Sequence, residues 1–102
     1  MQRVKSHAKI SGVVRIQLEG GEFFDVPHMI SHEFPVDTDV KISVSSGDST
    51  SCDESTLELN AIVVLSDHEF QLSSAGGHLV CLRKNRASFA EDTSILIEVN
   101  KV

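Results

Sequence analysis

The chain has no tryptophan and no tyrosine, and five phenylalanines among its 102 residues. Most of the aromatic platform on which nucleic-acid bases stack is therefore missing. No apolar run approaches the roughly 20 residues that a membrane helix requires, so no membrane partner is expected. The start, "MQRVKSHAKISG", is basic, but no apolar stretch with a cleavage site follows it. The expected location is the cytoplasm. Cysteine is scarce too. Cys52 lies in a polar tract and Cys81 in an apolar run. Without an export signal, two reduced thiols are expected, Cys81 buried and inert. Positive charge is nearly absent from the middle. Between residues 16 and 82 the only base is Lys41, against twelve of the fifteen acids. The net charge is −6, with the remaining bases gathered at the two ends. An acidic body repels phosphate, so nucleic acid is not an expected partner.

What is present is alternation. In "KISGVVRIQLE" Ile10, Val14, Ile16 and Leu18 share one face, and Arg15 and Gln17 take the other. "VDTDVKISV" repeats the pattern, and "EFQLSS", "HLVCLR" and "SILIEVNKV" complete it. "LELNAIVVLS" begins by alternating and then becomes continuously apolar. Period two with many Val and Ile predicts strands with one buried face. Helix signals are confined to one turn in "VPHMISHEF", where Pro27 suits a first helical position, and a second short turn in "NRASFAED". Residues 45–56, "SSGDSTSCDEST", bury almost nothing and predict an exposed loop. The whole chain, 1–102, is read as one domain.

A pattern is written twice. After Gly20-Gly21 come "EFFDV", Phe34 and "DTDVKISV"; after Gly76-Gly77 come "HLVCL", Phe89 and "DTSILIEV". The second glycine and the aspartate lie 16 residues apart in the first copy and 15 in the second. Glycine pairs permit the positive φ of tight hairpins, and Asp-Thr turns its own backbone before a strand. The fold class is therefore all-β: a small antiparallel barrel or sandwich of six to seven strands, pseudo-duplicated, with one or two helical turns at most.

The run "QLSSAGGHLVC" resembles the strand-turn-strand element of PilZ domains, in which Asp or Asn, Ser and Gly stand at fixed offsets. Gln71, Ser73 and Gly76 occupy those positions, with Gln71 departing from the acidic or amide pair. "LEGGEFFDV", "FPVDTDVKISV" and "LELNAIVVLS" also follow the rhythm of the PilZ barrel, in a second and incompatible alignment. PilZ domains that bind cyclic dinucleotides carry two arginines separated by three residues, upstream of the serine motif. Here Arg83 and Arg86 are separated by two and lie downstream. The resemblance implies a PilZ-like barrel that acts by protein contact.

Candidate chemistry is sparse. His28 and His32 stand at i, i+4, but a zinc site needs further ligands that the sequence does not bring near. "SHEF" (31–34) and "DHEF" (67–70) repeat a His-Glu pair, yet no nucleophile, base and orienting group occur together. Phe34 and Phe70 are read as core anchors. No catalytic residue, metal or cofactor is expected. Arg83, Lys84 and Arg86 form the one dense basic cluster and, with Gln71, Ser73 and Gly76, are the candidate ligand-binding residues. The expected function is a non-enzymatic protein-interaction or adaptor module, working through its acidic surface on a basic partner. The alternatives are a small-ligand or nucleotide-binding barrel and an acidic decoy of phage or mobile-element type. A homodimer through an edge strand is expected, with "SILIEVNKV" as the candidate edge.

Overall fold

The structure is a computed structural model that describes residues 1–46, 56–85 and 88–102. Eight strands are formed: β1 (Gln2–Ile10), β2 (Val13–Leu18), β3 (Phe23–Pro27), β4 (Asp39–Ser46), β5 (Leu57–Ser66), β6 (Phe70–Ala75), β7 (His78–Arg83) and β8 (Ser94–Lys101). They close into an antiparallel barrel in the order β1-β2-β3-β7-β6-β5-β8-β4. The expected six or seven strands become eight because "KISGVVRIQLE" is two strands, not one. Gly12, at φ 87°, turns the chain between β1 and β2. Ile10 consequently ends a strand, 36% exposed, rather than joining Val14, Ile16 and Leu18 inside.

The order has a simple internal logic. In the first half β4, β1, β2 and β3 are neighbours; in the second half β8, β5, β6 and β7 are. The fourth strands pair with each other and the third strands pair with each other. The doubled sequence pattern is the local expression of this arrangement. Asp37 and Asp92 are the only non-glycine residues with positive φ among those described, at 75° and 69°. The amide of Asp37 donates to the Val4 carbonyl (2.9 Å), and that of Asp92 to the Val63 carbonyl (2.7 Å). Thr38 and Thr93 then receive the amides of Val4 and Val63 (2.8 and 3.0 Å). The same turn therefore ties each fourth strand to the first strand of its own half. Aspartate tolerates the left-handed region better than most residues, which explains its presence at both corners.

Alternation fills the interior. Ile16, Ile42, Val63 and Ile97 all point inward and are buried. Phe24 and Phe34 meet edge to face, with ring centroids 5.1 Å apart and an interplanar angle of 82°. Full burial of such side chains contributes about 1.5–3 kcal/mol each. Phe34 is delivered by a six-residue 3-10 helix, His28–Glu33, the one helix among the described residues. No turn of helix forms at 88–90, and Arg86 and Ala87 of that expected turn lie outside the described residues. Ser45 and Ser46 belong to β4 rather than to a loop; 47–55 lie outside the described residues. No described helix is long and apolar enough to cross a membrane.

Closure removes the expected dimer edge. β8 pairs with β4 along Val40–Ser46 and with β5 along Leu57–Ile62. Both sides of "SILIEVNKV" are used, so strand addition there has no free backbone to join.

Candidate interaction surface

The two halves meet at unequal seams. β4 and β8 share seven register pairs, whereas β3 and β7 share two, Phe23 with Cys81 and Phe24 with Val80. Beyond those two, side chains replace the ladder. Asp25 Oδ2 accepts the Leu79 amide at 3.2 Å, and Glu22 Oε2 accepts the Arg83 amide at 2.8 Å. Both carboxylates are buried, 2% and 1% exposed. A buried carboxylate requires partners. Asp25 has a bidentate one: Arg15 Nε reaches Oδ1 at 2.8 Å and Nη2 reaches Oδ2 at 3.1 Å. The bond to Asp25 raises the Arg15 pKa above its ordinary value, against the opposing pull of partial burial. Two acids from the acidic body thus serve as structural clamps.

The outer face over this seam is apolar. Phe24, Val80 and Ser73 point inward, so their neighbours Phe23, Cys81 and Leu72 point out. The register places Phe23 beside Cys81, Cys81 beside Leu72, and Leu72 beside Leu65. Four strands therefore carry one continuous row, about 14 Å across at the usual strand spacing. A bulge between Val63 and Leu65 shifts the register of β5. Two consecutive apolar residues, Val64 and Leu65, then face water, 46% and 55% exposed, and Ile62 is 48% exposed. A bulge re-aims side chains in this way. Phe23, Leu65, Asp67, Phe70, Leu72 and Cys81 line a groove of about 310 Å³. Arg15 lies over the Phe23 ring at 4.0 Å and Arg83 over the Phe70 ring at 5.1 Å. Gly21 allows this packing: it has φ 90°, and a Cβ there would stand 3.3 Å from Phe70 Cζ. Phe70, read from the sequence as a core anchor, is instead half-buried in the outer row. Cys81 is likewise outside the core, half-buried and free. Burial foremost, then the Glu22 charge, raises its thiol pKa.

Asp67 sits at the lip of the groove. Its Oδ1 accepts the amides of Phe70 (2.8 Å) and Glu69 (2.9 Å). These two bonds, Phe70's first, hold its carboxyl below the ordinary carboxylate range.

The candidate ligand residues do not converge. Gln71 and Ser73 are buried inside the barrel, and Gln71 Oε1 accepts the Phe89 amide at 2.8 Å. Gly76 turns the β6–β7 hairpin at φ 59°. Arg83 is level with Phe70, at the other end of β6, about 20 Å away at the usual rise per residue. Its Nε and Nη2 both donate to the Gly20 carbonyl, at 3.0 and 2.6 Å. Lys84 and Arg83 line a separate hollow with His68, Glu69 and Asn85, where Glu69 opposes an anion. Arg86 lies outside the described residues.

His28 and His32 are exposed, and His32 pairs with Glu33 (3.1 Å), which also pairs with Lys101 (3.0 Å). Among the described residues no three His, Cys, Asp or Glu side chains converge as metal ligands would. The acids fall on several strands and turns; beyond the two buried clamps, Asp39 pairs with Arg3 at 3.4 Å and Glu33 with Lys101. That dispersion lends nothing to the decoy alternative, which needs carboxylates in a row on one face.

The sequence does not point to the groove, because "AIVVLS" reads as a continuously apolar central strand and Cys81 and Phe70 read as buried. Apolar residues at both parities in a small barrel, where only one face is internal, were the available signal. No family model matches the chain, and no curated protein matches it.

Proposed function

We propose that the protein is a non-enzymatic protein-interaction module that docks a partner on the outer row Phe23–Cys81–Leu72–Leu65. The observation that carries this reading is the apolar groove that this row forms with Phe70, ending on Leu65 at 55% exposed, outside a barrel with a packed apolar core. Scattered apolar residues on a surface are ordinary, but a contiguous groove of them marks a contact site. The net charge of −6 adds long-range attraction for a basic partner. A packed apolar core, and the failure of the described candidate ligand residues to converge, make the ligand-binding alternative the weaker one.

The test is affinity capture with tagged wild-type protein and three variants. Leu65→Asp and Leu72→Asp place a charge in the row. Ser43→Asp places one on β4, across the barrel from β7. The first two are expected to lose a specific partner at least about tenfold, and Ser43→Asp to retain it. Equal capture by all four proteins would refute the reading.

A further inference from the structure

The groove is not uniformly apolar, and its one ionisable oxygen-bearing side chain says what it fits. Among its lining residues, Phe23, Leu65, Phe70, Leu72 and Cys81 offer carbon or sulfur, and only Asp67 offers charge. That carboxylate is fixed in place by the two amides at its back, with Oδ2 outside those bonds. The two arginines over the groove are already committed, while His68 and Lys84 lie close enough to lower the Asp67 carboxyl further by charge. Arg15 is bidentate with Asp25, and Arg83 is tied twice to the Gly20 carbonyl. Both also cover phenylalanine rings of the groove. A second copy of the chain is a poor occupant: it brings its own net charge of −6 to an acidic molecule. β8 offers it no edge either.

We propose that the groove receives an apolar or aromatic anchor from a protein segment that carries lysine or arginine beside the anchor, with the cation against Asp67. This rests on the docking face argued above and specifies what docks there. The anchor supplies the area removed from water, and the fixed carboxylate selects the sign of its neighbour.

The probes are three N-acetylated, amidated tetrapeptides, Lys-Phe-Leu-Lys, Gln-Phe-Leu-Gln and Glu-Phe-Leu-Glu, titrated into isotope-labelled full-length protein and followed by amide chemical shifts. The basic peptide is expected to shift the amides of Leu65, Phe70, Leu72 and Cys81, and to bind at least about threefold more tightly than the glutamine peptide, an exposed ion pair's worth. The acidic peptide is expected to bind most weakly. Asp67→Asn is expected to narrow the spread among the three affinities to what the remaining net charge contributes, while leaving the glutamine peptide bound; Leu65→Asp is expected to remove all three. Three equal affinities for the wild type would overturn the charge assignment and leave the docking face standing. Shifts confined to other strands would overturn both. A sedimentation series showing a wild-type dimer that Leu65→Asp dissociates would also overturn it, since the groove would then be filled by a second copy.

Discussion

The two seams of the barrel perform the same task by different means. β4 and β8 are joined by a long ladder of backbone pairs, while β3 and β7 share two pairs and lean on Asp25 and Glu22. A ladder depends little on side-chain identity. A clamp depends on it almost wholly, because an unpaired buried charge is costly. The clamped seam also underlies the docking row, since Phe23 and Cys81 are one of its two pairs. The residues that close the barrel there and those that face a partner lie back to back.

Removing a clamp has the largest expected effect. Asp25→Ala strips Arg15 of its bidentate partner and leaves the Leu79 amide without its acceptor. The expected loss is about 3 kcal/mol in denaturant unfolding, the low end for a broken buried pair because Arg15 keeps some contact with water. On the other seam Ser43→Ala is expected to change stability by less than about 0.5 kcal/mol. Equal losses would break the comparison.

Much of the fold was legible in the sequence, and the clamps were not. Period two located β4, β6, β7 and β8, and the glycine pairs with Asp-Thr located matching corners in both halves. β1 was illegible as a strand of its own because only Val4 along it is buried, leaving "QRVKSHAKI" without a visible apolar face. Asp25 carries no such sign either. A carboxylate in an outward position normally means solvent, and its burial arises from Arg15, ten residues earlier, and Leu79, 54 later. Contacts at that separation are written in topology, which period and turn chemistry do not encode. The same holds for Gln71 and Ser73, expected as ligand residues, which the pleat of β6 turns inward.

Next in size is the reactivity of Cys81 on the clamped seam. The thiolate is the nucleophile, and burial raises the thiol above its ordinary 9.0. Its alkylation rate, followed by mass spectrometry, is expected to climb about tenfold per pH unit and still be rising above pH 9. A plateau below pH 8 would place the thiol in a different setting. The smallest effects compare the two halves themselves. Asp37→Ala and Asp92→Ala each put a less tolerant residue at positive φ. Each is expected to cost about 1 kcal/mol in thermal unfolding, and the two losses should match. A large inequality would show that the paired corners are alike in geometry but not in energy.

The central claim is that a partner covers the outer row over the clamped seam, and Cys81 stands in the middle of that row. Its alkylation rate can be measured in the isolated protein and again in the complex recovered by affinity capture, at one pH. At least a tenfold slowing in the complex is the predicted result. An unchanged rate, with the partner demonstrably bound, would contradict it.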